Sequence, residues 1–548
     1  MIKYIPLLVC SAILFSCNQK SPADFLIQNG TIVDGLGNLP FKGDVLIRNG
    51  KMELVKPVEN VDALKTLDAT GLVVAPGFVD VHNHTDWAMF DSFKRLNEGF
   101  IRQGVTTIVG GPDGYSSPSD IRKLIEAYNK QGIGTNVAFY VGHNGIRKEV
   151  MKKDQKRAPT VDELNQMKAL VKEGMEMGAI GLSTGLMYEP GMYSNTKEVI
   201  ALAKEVAPFN GIYDSHVRSP VFDWIASNQE VINIGLKANI PAKMGHLKAV
   251  GLINAGKPKE LIKIVEKARK DGISLVSDQY PYDGAGGSIT LRKVVIPSED
   301  RELSQDFIKD QSISLKSFIS TKKSKNNVRN FTENGVNGGF SWIKAIGYSS
   351  LRIVDSPDFP ELVGRFIVEI AQEKNIDPFD LICDLLIDAK RPIQVKGGIL
   401  EEDVKTILVQ PWNMIASDGA YLEENGPKLG HPRSTGTFPR VLGRYVRDQK
   451  ILIIEEAIRK MTSFPADFIG FPSRGRIQNG LPADIVIFNP KTIIDLSTYL
   501  NPNKFSKGVI HVFVNGALVL QDEKMTGNAP GKYLSLIKEA NTVSNEKP

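Results

Sequence analysis

Two histidines separated by one residue follow a short apolar run that reads as a buried strand. In "VVAPGFVDVHNHTDW" (73–87), the run 78–81 leads directly into His82, Asn83 and His84. A His-x-His pair at a strand end can aim both imidazole rings at one ion once the strand relaxes into a loop. Imidazole suits a borderline divalent ion such as zinc, which needs further ligands from elsewhere. The pair, a weak signal alone, therefore predicts half of a metal site.

Further histidines and two aspartates also follow apolar runs, where they could complete such a site. The chain has seven histidines. Besides the pair, the candidates are His143, His216 and His246, with Asp113 in "GGPDG" and Asp418 in "IASDGA". A lone histidine is usually a satisfied core or surface residue, but a set at strand ends together with carboxylates indicates metal binding. We interpret His143 as a residue that lines the site without binding metal, and His511 as structural.

The segments that carry these residues alternate predicted strands with predicted helices. The strand candidates are 78–81, 106–110, 136–142, 179–183, 211–215, 240–245, 273–278 and 413–418. Amphipathic patterns such as "PSDIRKLIEAYNKQG" and "KPKELIKIVEKARKDG" separate most of them. This α/β alternation predicts a parallel sheet, and eight repeats favour a (β/α)8 TIM-like barrel over a doubly wound open sheet. In such a barrel all strands end at one mouth, where the candidate ligands would converge.

Short strands and turns flank the barrel region on both sides. "FLIQNGTIVDG" and "DVLIRNGKMEL" near one end, and "GLPADIVIFNP" near the other, are typical of strand–turn–strand units. We expect residues 24–75 and 471–540 to form one small β-sandwich beside a barrel of 76–470. An insertion at about 285–410 separates strands seven and eight. Its polar part, 298–345, is either a solvated surface segment or a lid over the mouth.

The amino-terminal segment predicts export. "MIKYIPLLVCSAILFSC" has a basic Lys3 and then an apolar run that is too short to span a bilayer comfortably. It ends in a sequence that resembles a bacterial lipoprotein cleavage box, although a plain secretory signal with a chance cysteine would look similar. The segment therefore predicts a signal peptide at 1–16, lipidation of Cys17 and a tether at 17–23. The protein would be lipid-anchored to the membrane and face the periplasm or cell exterior.

Composition and cysteine content narrow the class of protein. Hydrophobic residues make up 42% of the chain and charged residues 24%, as in ordinary soluble globular proteins. A net charge of +5 is small for 548 residues, and no basic stripe with interleaved aromatic residues appears, so nucleic-acid binding is not expected. Cys10 lies in the signal segment and Cys17 would be acylated. Cys383 is then a small core residue on a predicted helix, and no internal disulfide is expected.

Motifs along nearly the whole chain resemble the D-aminoacylase (N-acyl-D-amino-acid deacylase) branch of the metal-dependent amidohydrolase superfamily. They are "GFVDVHNHTD", "GVTTIVGG", "GAIGLSTGLMYEPG", "DSHVR", "DQYPYDG", "IASDGA", "HPRSTGTFPRVLGRYV" and "RGRIQNGLPADIVIF". The resemblance covers about residues 24–535. It implies a zinc hydrolase with one or two metal ions and a small-molecule N-acyl amino acid substrate. The oligomeric state stays open.

The resemblance also implies roles for the candidate ligands. His82 and His84 match the strand-one pair that holds the more buried ion, and His216 and His246 match the ligands of the other ion. Asp418 matches the strand-eight aspartate that contacts metal and shuttles protons. We expect Asp418 to accept a proton from the attacking water and to pass it to the departing amine.

One ligand position departs from the family pattern. The best-known members carry a cysteine in a Gly-Asn-Cys-Gly turn, whereas this turn has Asp113 in the cysteine's place. A carboxylate can also bridge two ions, with bonds of roughly 2.0–2.2 Å to zinc. We therefore predict that Asp113 is a ligand; the alternative is a single tightly held zinc. An oxygen bridge should also accept manganese or cobalt more readily than a thiolate does.

By the same resemblance, four residues are candidates for handling the substrate. The Tyr188 hydroxyl in "GLMYEPG" would stabilise the oxyanion. Lys248, Tyr282 and Arg433 would bind the substrate carboxylate, for which arginine offers a bidentate fork. The sequence leaves two other functions open. One is hydrolysis of a cyclic amide or dipeptide, although related enzymes commonly use a carboxylated lysine that "AIGLSTG" lacks. The other is a non-catalytic solute-binding lipoprotein.

Overall fold

The computed structural model describes residues 22–55, 62–286, 289–295, 319–335, 341–426 and 430–539. The predicted signal peptide, Cys17 and the tether up to residue 21 lie outside the described residues. Among the helices of the described residues, none is long and apolar enough to span a membrane.

Eight parallel strands form a barrel in their order along the chain. Barrel strands 1 to 8 are Phe78–Asp80, Val105–Gly110, Asn136–Gly142, Gly181–Gly185, Ile212–His216, Ala242–Met244, Leu275–Gln279 and Asn413–Ile415. Every residue of these strands is buried, because helices cover the outside and side chains fill the interior. Strand 8 ends three residues earlier than the pattern predicts, so that Asp418 lies in the loop beyond it.

The barrel closes through its first and last strands just beyond their final residues. The Asp418 N–H donates to the His82 carbonyl at 2.9 Å, and Asn83–His84 pairs with Gly419–Ala420. The Asp80 side chain accepts from the Ser417 N–H at 2.9 Å. These contacts confirm the expected (β/α)8 barrel and join the loops that carry His84 and Asp418.

Helices cover the outside of the barrel. They are Asp86–Met89, Glu98–Ile101, Pro118–Gln131, His143–Met151, Val161–Glu176, Thr196–Ala203, Trp224–Ala238, Pro258–Lys270, Glu401–Leu408, Arg433–Arg440, Ile454–Met461 and Ser463–Phe468, with a π-helix at Val441–Asp448. Pro118–Gln131 begins after Ser117, whose side chain forms a capping box with Asp120. The helix then buries Ile121 and Leu124 against the barrel, as helical spacing predicts.

A nine-stranded sheet combines the two ends of the chain. Its strands are Phe25–Ile32, Phe41–Arg48, Lys51–Val55, Thr66–Asp68, Val73–Pro76, Ile485–Phe488, Val509–Val514, Ala517–Gln521 and Lys524–Met525. Val73–Pro76 pairs antiparallel with Ile485–Phe488, which joins the two halves. Phe25 and Phe513 lie on strands that are separated by two others in the sheet, yet their ring centres are only 5.0 Å apart. The sheet therefore curls over into the expected sandwich. Residues 530–536 lie beyond the last strand of this sheet, although the sequence assigned 471–540 to the sandwich. Their backbone bonds to residues at or just before barrel strands 3 and 4.

The insertion between barrel strands 7 and 8 forms a unit whose hydrophobic core also includes residues of the barrel loops, among them Val250 and Tyr282. Its described elements are the strands Ile289–Thr290, Arg352–Asp355 and Gln394–Lys396, with the helices Leu291–Val295, Lys322–Asn334, Trp342–Ile346, Ile367–Glu373 and Pro378–Asp388. Cys383 is buried on the last of these helices and has no disulfide partner among the described residues. Ile289 and Trp342 line the cavity at the barrel mouth. The insertion therefore supplies one wall of the mouth instead of lying wholly on the outer surface.

Candidate metal centre

All six predicted ligands converge at the carboxyl ends of the barrel strands. Two groups of donor atoms each lie within 4.8 Å of one another: His82, His84, Asp113 and Asp418 form one, and Asp113, His216 and His246 form the other. Asp113 belongs to both groups. A single carboxylate shared by two groups of ligands is what a bridge between two metal ions requires.

The separations between these atoms suit a metal centre. Asp113 Oδ1 lies 3.4 Å from His82 Nε2 and 3.5 Å from His246 Nε2, and its Oδ2 lies 3.6 Å from His216 Nδ1 and 3.7 Å from His84 Nε2. All four distances exceed those of good hydrogen bonds. Two ligands at roughly 2.0–2.2 Å from a tetrahedral zinc stand about 3.3–3.6 Å apart. The Asp113 carboxylate is therefore spaced from four imidazoles as a shared ligand would be.

Several of the donor atoms are buried without a hydrogen-bond partner among the described residues. They are both ring nitrogens of His82, Asp113 Oδ1 and His216 Nε2. Buried polar groups are almost always hydrogen-bonded, since an unpaired one is costly. His82 Nε2 and Asp113 Oδ1 lie 3.4 Å apart, and a cation bound at the centre would satisfy both, so these residues fit a metal ion.

Three of the candidate ligands adopt left-handed backbone conformations. The φ angles of Asp113, His246 and Asp418 are 57°, 33° and 48°. Such values are uncommon outside glycine and cluster where function requires a particular side-chain direction. The turn around Asp113 also needs its glycine, because a Cβ on Gly114 would lie 2.4 Å from Asn144 Oδ1. The "GGPDG" sequence therefore aims the Asp113 carboxylate into the mouth.

Electrostatics at the centre favour a positive charge. Burial would raise the pKa of Asp113, but His216 and His82 outweigh it and hold that pKa well below its usual range. Burial would lower the pKa of His82, yet Asp113 and Asp278 raise it to about 10. Burial, and then Lys248, lower the pKa of His246 to about 3. The centre thus keeps its carboxylate ionised and His246 neutral, which are the forms that bind metal.

Comparison with known proteins places this site in a family. Residues 385–520 match the Amidohydrolase family. The chain is 31% identical over 547 residues to D-aminoacylase from Alcaligenes xylosoxydans xylosoxydans, an alignment that covers 95% of this chain and 99% of that protein. This chain belongs to the D-aminoacylase branch of the amidohydrolase superfamily.

Solved structures support the same assignment. N-acyl-D-glutamate deacylase from Bordetella bronchiseptica, complexed with zinc and a phosphonate mimic of the tetrahedral intermediate, is 28% identical with a TM-score of 0.73. A D-aminoacylase with a binuclear metal centre is 29% identical with a TM-score of 0.72. Each similarity covers 94% of this chain and 100% of the other. The solved structures therefore support both the barrel fold and the metal centre described above.

A buried lysine that the sequence analysis overlooked supports the centre from below. Lys243, on barrel strand 6, lies 3.1 Å from Asp214 Oδ1, contacts Asp278 and donates to the Val81 carbonyl at 3.1 Å. Asp278 in turn accepts from the His246 backbone N–H and lies 3.7 Å from His82 Nδ1. The signal in the sequence was a charged residue inside an apolar strand, in "IPAKMG". Lys243 thus positions the metal centre through Asp278.

Removal of this lysine should destabilise the barrel. We expect Lys243→Met to lower the free energy of unfolding by about 3–5 kcal/mol. The substitution keeps the length of the side chain but leaves two buried carboxylates without their partner. Urea denaturation of both proteins measures the difference. The matched control Lys237→Met removes an exposed lysine and should change stability by less than about 0.5 kcal/mol. A Lys243→Met variant as stable as its parent would contradict the positioning role.

The mouth cavity contains three of the four predicted substrate-handling residues. It measures about 500 Å³, and its lining includes Tyr188, Lys248 and Arg433. Arg433 forms an ion pair with Asp418, and Lys248 Nζ donates to the His246 carbonyl at 3.1 Å. Tyr188 packs its ring 4.5 Å from that of His216. Burial raises the pKa of Tyr188, so its hydroxyl keeps a proton that it can donate.

Tyr282 does not reach the site, and the prediction for it is wrong. Its hydroxyl donates to Asp495 Oδ2 at 3.0 Å, and the Arg440 guanidinium lies 4.4 Å from its ring centre. A tight turn, in which the Tyr282 N–H donates to the Tyr280 carbonyl, directs the two rings to different places. Tyr280 is the aromatic residue at the site, with Arg433 4.7 Å and Lys248 5.4 Å from its ring centre.

Two other histidines have structural partners. His143 is buried, forms a hydrogen bond with Glu198 at 2.9 Å and shares that carboxylate with Arg147. The sequence placed it at the lining of the site, but it is not among the residues that line the mouth cavity. His511 lies on the sandwich strand Val509–Val514, in agreement with its structural interpretation.

Proposed function

We propose that this chain is a zinc-dependent hydrolase that cleaves N-acyl-D-amino acids to a carboxylate and a free D-amino acid. The observation that carries the proposal is the shared Asp113 carboxylate beneath a cavity that also presents Arg433 and Lys248. The family relatives support it, since they are D-aminoacylase and N-acyl-D-glutamate and N-acyl-D-aspartate deacylases.

The residues divide the work of the reaction. His82, His84, Asp113, His216 and His246 would hold zinc, which when bound would supply Lewis acidity that lowers the pKa of water toward neutrality and polarises a carbonyl. Asp418 accepts the proton released when water attacks the amide carbon, and passes it to the departing nitrogen. The Tyr188 hydroxyl donates to the developing oxyanion.

Arg433 links substrate binding to the pKa of Asp418. Burial would raise the pKa of Asp418, but Arg433 and the neighbouring histidines together outweigh burial and hold that pKa well below its usual range, with Arg433 contributing most. A substrate carboxylate competes for the same guanidinium, aided by Lys248. If Arg433 turns to the substrate, the largest of the effects that lower the pKa of Asp418 is lost, so Asp418 becomes a better base when substrate is present.

The wall of the cavity favours substrates with apolar side chains. It is lined by Met187, Val221, Val250, Ile289, Trp342 and Ile346. The cations among the described lining residues are Lys248 and Arg433, and both lie beside the metal centre. An acidic side chain against this wall would lose its hydration without gaining a partner. We therefore propose N-acyl-D-amino acids with neutral, apolar side chains as the preferred substrates.

A substrate panel tests this proposal. We expect kcat/KM for N-acetyl-D-leucine to exceed that for N-acetyl-D-glutamate by about 100-fold or more. N-acetyl-L-leucine and hydantoin should be hydrolysed more slowly still. Initial rates of amine release with zinc-loaded enzyme measure all four. Activity confined to the L-enantiomer or to the cyclic amide would contradict the function, whereas equal rates on both D-substrates would contradict only the side-chain preference.

We also propose that the enzyme is exported and anchored through a lipid on Cys17. The apolar segment that ends at Ser16-Cys17 supports this proposal. We expect radiolabelled palmitate to be incorporated into the parent protein and not into Cys17→Ser, which should appear in a soluble fraction. The control variant Cys383→Ser, which keeps Cys17, should be labelled and fractionate as the parent does. Equal labelling of the parent and Cys17→Ser would exclude Cys17 as the anchor.

A further inference from the structure

A second cavity lies beside the catalytic one, at the joint between barrel and insertion. Its volume is about 170 Å³, several times the roughly 30 Å³ that a water molecule occupies in the liquid. Asp283 lines it from the loop after barrel strand 7, Arg352 and Lys396 from the insertion, and Tyr499 from the C-terminal region. Gly397 lines both cavities. The second cavity is therefore a neighbour of the catalytic cavity with its own set of charged residues.

The Arg352 guanidinium has aromatic neighbours and, among the described residues, no polar partner. Its guanidinium lies 4.4 Å from the ring centre of Phe366 and 5.0 Å from that of Tyr499. Its Nε is buried, and within the described parts of the chain the guanidinium has no hydrogen bond and no ion pair. Stacked rings hold the group in place but leave its N–H donors unsatisfied. Arg352 is thus a preorganised cation whose donors can bind an anion.

Lys396 provides a second cation on the same cavity. The residue is 4% exposed, and its Nζ donates to the Gly430 carbonyl at 2.7 Å. It forms no ion pair with a described residue. Burial, and then Arg433, lower the pKa of Lys396 to about 7. A buried ammonium without a counter-charge is costly, so an anion in the cavity would stabilise it.

Asp283 contributes the opposite charge. Its Oδ1 accepts a hydrogen bond from the Tyr499 hydroxyl at 2.9 Å, and it makes no ion pair with a described residue. Two cations and one carboxylate therefore face one cavity without pairing with each other. A ligand that carries both a carboxylate and an ammonium would complement all three groups, which neither a simple anion nor a simple cation would do.

We propose that the second cavity binds a free α-amino acid. Its carboxylate binds Arg352 and Lys396, with the arginine fork matched to the two oxygens. Its ammonium binds Asp283. This ligand class is also that of the amino product, a link that rests on the proposed function; the binding itself depends only on the cavity.

Equilibrium dialysis of radiolabelled D-alanine against the zinc-loaded enzyme tests this proposal. A phosphonate analogue of N-acetyl-D-leucine fills the catalytic cavity during the experiment. We expect one D-alanine per chain, bound at least about tenfold more weakly by Arg352→Met and by Lys396→Met. Propionate, which lacks the ammonium, should bind the parent at least about tenfold more weakly than D-alanine, and Asp283→Asn should remove that difference.

Arg365→Met is the matched control, because Arg365 belongs to the same insertion but pairs with Glu373 on the surface. It should bind D-alanine as the parent does, and thermal melting checks that each variant is folded. The proposal is overturned if the parent binds no D-alanine. It is also overturned if Arg352→Met and Lys396→Met both bind normally, or if propionate binds as tightly as D-alanine. None of these results requires deacylase activity, so a failure of the proposed function is seen separately.

Discussion

Asp418→Asn is expected to lower kcat for N-acetyl-D-leucine by about 10³–10⁴-fold. Asparagine keeps the size of the side chain, but it can neither accept the proton from water nor deliver it to the amine. The Asp418 carboxylate lies 3.1 Å from His84 Nε2 and pairs with Arg433, so it stands between the metal centre and the substrate-binding cation. Rates of D-leucine release with zinc-loaded parent and variant measure the effect.

Two controls make this result specific. Asp467→Asn changes an aspartate that pairs with Arg476 on the surface, and its kcat should equal that of the parent. Zinc content, measured on each protein, separates loss of the proton carrier from loss of metal. An Asp418→Asn variant that retains zinc and hydrolyses N-acetyl-D-leucine as fast as the parent would exclude the proposed role.

Asp113→Asn is expected to lose at least one zinc ion per chain and to reduce kcat/KM by about 100-fold or more. Asparagine tolerates the left-handed backbone of this turn, so the change removes mainly the negative charge. The carboxylate is the group common to both sets of ligands, and a neutral amide is a poor bridge between two cations. Metal analysis after dialysis, by mass spectrometry, gives the stoichiometry without relying on activity.

Asp113→Cys is the matched partner of this variant. It introduces the residue that the best-known members of the family carry in the turn, and its thiolate should restore the zinc that Asp113→Asn loses. The parent, with its oxygen bridge, should exchange zinc for manganese more readily than Asp113→Cys does. If Asp113→Asn binds as much zinc as the parent, Asp113 is not a ligand.

The sequence predicted the barrel and the convergence of the ligands for a simple reason. Parallel strands all end at one mouth, so residues that follow apolar runs must meet there. The eight-strand pattern alone brings together residues that lie far apart in the sequence, such as His82, His216 and Asp418. The position of Asp113 in both ligand groups follows from the same topology, since its turn ends barrel strand 2.

Other features depend on tertiary contacts that spacing does not encode. Lys243 looked like one residue of a short strand, and only the packing of strands 5 to 7 shows that it joins Asp214 and Asp278. Tyr282 follows the right strand, but a local turn sends its ring toward Asp495. The second cavity brings together Asp283, Lys396 and Tyr499 from three parts of the chain, and no motif connects them.

The most direct test of the whole account is a zinc titration of the metal-free enzyme with N-acetyl-D-leucine as substrate. We expect D-leucine release at no more than about 1% of the full rate without metal. The rate should rise with added zinc and reach its plateau at no more than two ions per chain. Hydrolysis at the full rate by the metal-free enzyme, or a zinc-loaded enzyme that releases no D-leucine, would contradict it.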